Sequence, residues 1–386
     1  MLTPSSFLAF RLRGSARLAV PALSLVLLAG CGRMRHENVE KVYVATQRTY
    51  LRDRVAAVYT RTGEVTNGEP LVVLEHGRRF LRVRTPRNET GWVEEHMVID
   101  QKVYDGFERL AAEHKDDQPF ATATLFDDLY MHLTPGRDTE RFYLLPGNTK
   151  VQLLARGSAP KAAARLTETS GTAGKESGNN SLQPAPPAME DWWLARDPQG
   201  RTGWVLASRA DIDVPQDIEQ YGEGQRFIGA WKIATVHDPE SDAPNHDVPE
   251  YLTLMAPPRS GQPFDFDQVR VFTWSRIHHR YETGFRLHPI QGFLPVKIFT
   301  APAPKGFAPA GQQGSVPAFS FTLAGTGQII TDPTTGVMRP AVPRTIEYEM
   351  LDTQVRRIGA DTAPIPIQHE ETKGKAGKKP APRLRK

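Results

Sequence analysis

Two matching stretches of sequence decide the fold. The first is Phe80-Leu81-Arg82-Val83-Arg84-Thr85-Pro86-Arg87-Asn88-Glu89-Thr90-Gly91-Trp92-Val93, and the second is Trp192-Trp193-Leu194-Ala195-Arg196-Asp197-Pro198-Gln199-Gly200-Arg201-Thr202-Gly203-Trp204-Val205. They align without a gap at a constant offset of 112 positions (192 minus 80), and Arg84, Pro86 and the run from Thr90 to Val93 are identical to their counterparts. In each copy two short strand-like segments flank a turn that contains proline, which predicts a β-hairpin. The chain therefore contains an internal repeat of a small β unit.

The segments upstream of the two hairpins repeat more loosely. Tyr50 precedes residues 68–74 much as Tyr130 precedes residues 147–153, at an offset of 79 or 80 (130 minus 50). The second copy has therefore gained about 33 residues (112 minus 79), which lie between Leu154 and Trp192. Residues 157–190 are rich in Gly, Ser, Ala, Thr, Asn and Pro, so we expect a disordered loop inserted in an earlier hairpin of the second copy.

The repeated hairpin resembles the late strands of bacterial SH3-like (SH3b) domains, which carry an aromatic residue, a short turn and then Gly-Trp-Val or Gly-Trp-Ile. The resemblance implies two small barrels, with Phe80, Trp92 and Trp204 in their structural cores. It also implies peptidoglycan as the ligand class. Neither copy has the Asn-x-Arg-x-Gly-Pro run that shapes one side of the family's ligand groove, because residues 51–54 are a remnant and residues 133–136 are fainter. Groove specificity therefore does not carry over.

Four aromatic residues are the candidate binding residues: Tyr50, Tyr130, Trp192 and Trp193. Adjacent residues on a strand face opposite ways, so one of the Trp192–Trp193 pair is expected to point away from the core.

The N-terminal region carries a second resemblance. Leu28-Ala29-Gly30-Cys31 resembles a bacterial lipobox and contains the chain's single cysteine. Three arginines precede the apolar run 18–29, which is shorter than the about 20 residues that cross a bilayer. The resemblance implies a signal peptide at 1–30 and acylation of Cys31, palmitate included, so that the lipid bilayer is a partner. An ordinary secretory signal with a free thiol is the alternative. Gly32, where some lipoproteins have an inner-membrane aspartate signal, favours the outer membrane.

The charge of the chain lies at its ends. The whole sequence carries +4, the residues 1–30 carry three arginines and no acid, and the tail 369–386 carries seven Lys or Arg against two Glu. The body is therefore at about −4 (+4 minus 3 minus 5). The sequence pI of about 9.1 consequently gives no support for a nucleic-acid-binding surface.

The composition and motifs divide the chain into segments. After the signal peptide come an anchor linker (31–39) and the first SH3-like domain (40–100). A helical linker (101–119), in which Asp100 caps a helix, leads to the second SH3-like domain (120–214). A C-terminal domain (226–358) and a basic disordered tail (359–386) follow. The C-terminal domain shows two-residue alternation in several segments, for example around Phe319 and Tyr348, and predicts an antiparallel β-sandwich or barrel. The fold class is thus all-β, with one short helix between two barrels.

The sequence offers no recognisable catalytic motif. The single thiol is the proposed anchor, so a cysteine peptidase or transpeptidase is excluded, and there is no zinc-peptidase, nucleophile-elbow or nucleotide-binding pattern. The loop 237–247 carries two histidines and four carboxylates, but its two prolines and lack of a central glycine favour a solvated loop over a metal site. Of His278 and His279, one is expected to be buried and one exposed. No cofactor or metal is predicted.

Three functions remain open from the sequence. The first is a non-catalytic, membrane-anchored envelope lipoprotein that faces the periplasm or the cell surface and binds peptidoglycan through tandem barrels. The second is a protein-interaction scaffold of the envelope. The third is an enzyme with an unrecognised site in residues 226–358.

Overall fold

The computed structural model describes residues 39–161, 187–307 and 314–366. The predicted signal peptide, Cys31, most of the inserted loop and the tail 369–386 lie outside these ranges. Within them, no helix has the length and apolar character needed to cross a membrane.

The first repeat is a seven-stranded antiparallel sheet. Its strands are β1 Lys41–Val44, β2 Arg48–Arg52, β3 Arg61–Thr66, β4 Pro70–His76, β5 Phe80–Arg84, β6 Thr90–Glu94 and β7 Val98–Asp100. They pair in the order β3-β2-β6-β5-β4-β1-β7. Two-residue alternation sends one face inward, and the buried cluster there consists of Val42, Val44, Leu51, Val65, Leu71, Leu81, Val83 and Val93.

The second repeat has the same topology. Its strands are β8 Ala121–Leu125, β9 Leu129–His132, β10 Arg141–Leu145, β11 Lys150–Pro160, β12 Met189–Arg196, β13 Thr202–Leu206 and β14 Ala210–Ile212. Their order, β10-β9-β13-β12-β11-β8-β14, is that of the first repeat with seven added to each number. The register repeats as well, because Arg82 pairs with Trp92 as Leu194 pairs with Trp204. Even the irregularity in β4 at Leu74 recurs in β11 at Leu154.

The first and last residues of the inserted segment form β-strands. Strands β11 and β12 extend past the common hairpin and stay paired to Pro160 and Met189. Residues 157–160 and 189–190, which we expected to belong to the disordered loop, are therefore strand. Residues 162–186 of that loop lie outside the described ranges.

A helix joins the barrels. Helix α1, Gln101–Glu113, begins after Asp100, whose carboxylate accepts the N–H of Val103 at 2.8 Å. Its Phe107 is buried against Phe142 of the second barrel, with ring centroids 5.9 Å apart. The predicted N-cap at Asp100 therefore forms.

The C-terminal region contains two four-stranded antiparallel sheets after a short helix, α2 Gln216–Glu219. The first sheet is β15 Arg226–His237, β16 Asp247–Ala256, β17 Gln268–Ser275 and β18 Arg280–Leu287. The second contains β19 Gly292–Pro302, β20 Ser315–Ala324, β23 Pro343–Leu351 and β24 Gln354–Ile358, with a hairpin of β21 Ile329–Thr331 and β22 Met338–Pro340 inserted. Leu252 and Val271 of one sheet share a buried cluster with Phe319 and Tyr348 of the other. The all-β prediction is confirmed, and the domain is a sandwich.

The second barrel and the sandwich are joined by a close backbone contact. The turn of the β21–β22 hairpin lies on the β11–β12 ribbon, where a Cβ added to Gly157 would be 2.2 Å from the Thr335 oxygen. A Cβ on Gly336, whose φ is +62°, would lie 1.8 Å from the Ser158 oxygen. Both glycines are therefore needed for the two chains to approach.

A buried ion cluster stabilises the same interface. The guanidinium of Arg156 donates to Asp191 at 3.1 Å and to Asp265 at 3.0 Å, and all three side chains are at least nine-tenths buried. Asp191 also accepts from Ser158 at 2.8 Å and from the Gly261 N–H at 2.9 Å. Burial raises the pKa of Asp265, although the charge of Arg156 opposes the shift.

Candidate functional site

The outer face of the first barrel carries the candidate site. Because Leu51 and Val93 point inward, their strand neighbours Arg52 and Trp92 point outward, where the two residues lie directly opposite each other. Phe80 pairs with Glu94 on the same face. None of these four side chains is fully buried. Together with Tyr59 they form what we call the aromatic–arginine face: Arg52, Tyr59, Phe80, Trp92 and Glu94.

Arg52 contacts three other residues of this face. Its guanidinium carbon lies 4.3 Å from the ring centroid of Tyr59 and 5.1 Å from that of Phe80, and its side chain forms an ion pair with Glu94. Glu94 accepts from one nitrogen of Arg52, and the other guanidinium N–H groups have no acceptor among the described residues, so they can bind a second carboxylate. An open cleft of about 640 Å³ continues beside the face, lined by Arg79, Phe80, Glu94, Glu95 and His96. The arrangement suits a ligand with a carboxylate and a flat apolar surface.

A loop forms one wall of the aromatic–arginine face. Asp53 closes the loop because its carboxylate accepts the Thr60 N–H at 2.8 Å while its own N–H donates to the Thr60 carbonyl at 3.0 Å. Hydrogen bonds from Arg54 and from the Thr60 N–H lower the pKa of the Asp53 carboxyl. The tip of the loop presents Val55 and Val58, which are 51% and 84% exposed. Exposed apolar side chains at a loop tip beside the aromatic–arginine face can contribute to contact with a ligand or a partner protein.

The two predicted binding tyrosines occupy equivalent places. In the first barrel Arg61 lies over Tyr50 at 4.0 Å, and in the second barrel Arg141 lies over Tyr130 at 4.7 Å. The offset of 80 relates both pairs (130 minus 50 and 141 minus 61). Both tyrosines are half-buried, so each barrel has this cation–π pair at its surface.

The second barrel does not expose the rest of the face. At the positions of Arg52, Arg82 and Glu94 it has the neutral residues His132, Leu194 and Leu206, all of them buried. Trp192, Leu194, Trp204 and Leu206 form an apolar cluster covered by Val337 of the β21–β22 hairpin and by Leu110 of α1. Burial and then the charge of Arg141 lower the pKa of His132, which packs against Trp192, to about 4.

The burial of these residues corrects two expectations. Trp192 and Trp193 lie on opposite faces of β12, as expected, but each is only 2% exposed, so Trp192, which points away from the barrel core, is buried and is not free to bind a ligand. The sandwich covers the face that would otherwise be free. Trp204 is a core residue, whereas its counterpart Trp92 and its neighbour Phe80 are half-buried and lie outside the core cluster of the first barrel.

The histidine loop of the sandwich is organised by hydrogen bonds. Asp238 is buried and accepts from the indole N–H of Trp274 at 2.7 Å and from Nδ1 of His279 at 3.0 Å. His237 pairs with Asp247 at 3.1 Å. His278 and His279 are both exposed, so the expectation that one is buried is wrong, because the pair sits on the tight β17–β18 turn. In the described ranges no group of three or more His, Cys, Asp and Glu side chains could hold a metal ion.

A buried carboxyl lies at one end of the sandwich. Glu250 is on the same core-facing side of β16 as Leu252. Its Oε1 accepts the backbone N–H of Trp274 at 3.0 Å. Burial, together with the negative charge of Asp352, raises the pKa of Glu250 to about 7. An open cleft of about 710 Å³ adjoins both acids, with Lys232 and Arg276 among its lining residues. One acid of perturbed pKa without a nucleophile or a second acid in hydrogen-bond contact does not form a catalytic pair.

Comparisons with known proteins give distant similarities only. No protein-family model matches the chain, and no curated protein matches it. Among solved structures, an NlpC/P60 family protein from Bacillus cereus ATCC 10987 is similar at 10% identity over 46% of this chain and 57% of that chain, with a TM-score of 0.20. NlpC2 from Trichomonas vaginalis is similar at 8% identity over 63% of this chain and 91% of that chain, with a TM-score of 0.15. At these scores the similarities carry no argument about function.

Sequence reasoning missed Arg52 and Tyr59 as site residues. The signal was present in the repeat itself. At equivalent outer positions one copy has Arg82 and Glu94 and the other has Leu194 and Leu206, and charged residues almost never replace apolar ones on a covered face. Comparing the two copies position by position predicts which barrel keeps its face open.

Proposed function

We propose that this protein is a non-catalytic lipoprotein of the bacterial cell envelope that binds peptidoglycan through the aromatic–arginine face of its first barrel. The observation that carries the proposal is the contrast between the two repeats. The first barrel keeps Arg52, Phe80 and Trp92 at the surface, whereas the second uses the equivalent face to bind the sandwich. One barrel is thus available for a ligand, and the other has a structural role.

The chemistry of the face fits this ligand class. Peptidoglycan combines carboxylate-bearing peptide stems with sugar rings. A guanidinium recognises a carboxylate through paired hydrogen bonds, and aromatic faces pack against flat apolar surfaces. The resemblance of the repeats to SH3b domains supports the same ligand. The basic tail 369–386 adds a salt-dependent attraction to anionic envelope material.

A sedimentation experiment with purified sacculi tests the proposal. The chain from residue 32 to 386 is mixed with sacculi, and the bound fraction is measured against sacculus concentration at low and high salt. We expect Arg52→Ala and Tyr59→Ala to weaken binding by about tenfold each, as for loss of a charge-assisted contact. Arg209→Ala is the matched control, because Arg209 is an exposed, ion-paired arginine of the second barrel. Equal binding by all variants, or no binding at low salt, would refute the proposal.

A protein partner is the second candidate, and one observation favours it. Val55 and Val58 extend an apolar loop tip beside the aromatic–arginine face, and apolar tips of this kind contribute to protein interfaces. If sacculi do not bind, cross-linking to envelope proteins from a probe at the exposed position 57, with and without Val58→Ser, tests the scaffold function.

A further inference from the structure

A cleft on the outer face of the sandwich lies far along the chain from the aromatic–arginine face. Three segments form it: the linker helix α2 and the turn after it, the loop 241–244, and the β17–β18 turn. Its volume is about 580 Å³, within the range of roughly 300–1,000 Å³ typical of small-molecule sites. Val248, Pro249, Trp274 and Tyr281 are among the residues that line it.

The aromatic part of the cleft is rigid. Trp274 and Tyr281 pack edge to face with ring centroids 5.2 Å apart. The indole N–H of Trp274 is fixed by the buried Asp238 at 2.7 Å, and the hydroxyl of Tyr281 donates to the Pro249 carbonyl at 2.8 Å. Side chains locked by such bonds are positioned before a ligand arrives, which lowers the entropic cost of binding.

The polar part of the cleft carries groups of both signs. Asp217 and Asp242 lie at its rim with Arg280 and His279, and all four are exposed. In addition, the hydroxyl of Ser241, a residue 7% exposed in the cleft wall, has no hydrogen-bond partner among the described residues. Balanced charge disfavours a polyanion, while planar carboxylate and guanidinium groups pair well with neighbouring hydroxyls.

We propose that this cleft binds a carbohydrate, namely an uncharged oligosaccharide of pyranose rings. The rings present apolar C–H faces to Trp274 and Tyr221, which are both half-buried in the cleft wall, and hydroxyl groups to the rim. A peptide is a poorer fit because the cleft lies on the face of the β15–β18 sheet, where the strand N–H and C=O groups are already paired in the sheet. This site is separate from the aromatic–arginine face and does not depend on it.

The test is titration of residues 32–386 with β-1,4-linked N-acetylglucosamine tetramer, cellotetraose and maltotetraose, followed by tryptophan fluorescence and calorimetry. We expect at least one tetramer to bind with a Kd below about 1 mM. Arg280→Ala and Asp242→Ala should weaken that binding at least tenfold. Arg276→Ala is the matched control, because Arg276 is an exposed arginine of the same turn outside the cleft.

Two outcomes overturn the inference. One is the absence of binding by all three sugars at 5 mM, a ceiling about fivefold above the expected Kd. The other is binding that Arg280→Ala and Asp242→Ala leave unchanged while both variants keep the wild-type melting temperature. Arg52→Ala should leave tetramer binding intact, so failure of this cleft and failure of the first barrel are read independently.

Discussion

At the scale of single residues, the two repeats show how much a pattern of alternation predicts. Alternation identifies Trp192 and Trp193 as residues of opposite faces, and that prediction is correct. It does not identify what covers the outer face, because Val337 lies more than a hundred positions along the chain. The same limit explains Trp92, whose counterpart Trp204 is buried by a contact that the first barrel lacks.

Truncating the two equivalent tryptophans should therefore have unequal effects. Trp204→Ala should lower the free energy of unfolding by about 3–5 kcal/mol, as for a buried aromatic side chain. Trp92→Ala should cost about 1–2 kcal/mol because its side chain is partly solvated already. Guanidinium chloride unfolding of both variants measures the difference. Equal losses would mean that both outer faces are covered to the same extent.

Glu250 should make stability depend on pH. Its folded pKa of about 7 lies above the unfolded value of 4.5, so the folded state binds the proton more tightly. The stabilisation is complete below pH 4.5 and is lost as the pH rises through about 7. Glu250→Gln removes the titration and should be more stable than wild type at pH 8 by about 3 kcal/mol, since the pKa rises from 4.5 to about 7 and each pKa unit corresponds to about 1.4 kcal/mol. Thermal melts of both proteins at pH 5 and pH 8 measure this difference. An equal gain in stability at both pH values would contradict the raised pKa of Glu250.

At the scale of elements, the repeat was the most predictable part of the molecule. The hairpins and the helix N-cap at Asp100 follow from local signals. The ribbon of β11 and β12 does not, because Gly157 and Ser158 read as loop residues by composition and become strand through contact with the β21–β22 turn. Long-range contacts override local propensity at such positions.

That contact should be sensitive to one added methyl group. Gly336→Ala would place a Cβ 1.8 Å from the Ser158 oxygen and should displace the hairpin from the ribbon. Gly327→Ala is the matched control, since Gly327 has a similar positive φ of +74° with nothing within 4 Å. Both variants carry the backbone strain of a positive φ, of the order of 1 kcal/mol, and only the first adds a steric clash. Increased exposure of Trp204 to a fluorescence quencher, in Gly336→Ala alone, is the expected result.

The buried ion cluster should respond differently to truncation and to isosteric replacement. Arg156→Ala leaves Asp191 and Asp265 buried without their shared partner, so we expect a loss of about 3–5 kcal/mol in the free energy of unfolding. Arg137→Ala breaks the exposed Arg137–Glu190 pair in the same barrel and should cost less than about 1 kcal/mol. The triple replacement of Arg156, Asp191 and Asp265 by Met, Leu and Leu should recover only part of the loss, because the Ser158 hydroxyl and the Gly261 N–H lose their acceptor. If Arg156→Ala matches Arg137→Ala in urea unfolding, the cluster contributes nothing to the interface.

At the scale of the whole molecule, the two copies of the repeat have the same fold but different contacts on their outer faces. Both barrels keep the same strand order and the same surface pair of tyrosine and arginine. The second barrel has apolar outer-face residues and an extended ribbon, both of which contact the β21–β22 hairpin. Its inner core residues belong to the same buried cluster as those of the sandwich. The first barrel has neither feature and carries charged residues on its outer face. The sequence predicts the repeat directly. The difference between the two outer faces depends on which of them another domain covers.

The proposed anchor at Cys31 would determine where the protein works, and the last prediction tests it. The run 18–29 ends at Leu28-Ala29-Gly30-Cys31, and acylation of Cys31 would add at least two acyl chains, enough for stable membrane attachment. Cys31→Ser should therefore remove the mass of the acyl groups in mass spectrometry and move the protein from the membrane fraction to the soluble one. Deletion of residues 369–386 is the control, because a basic tail alone attracts the chain to anionic lipid only at low salt. An unacylated wild-type protein, or a Cys31→Ser variant that stays in the membrane fraction at high salt, would refute anchoring through this residue.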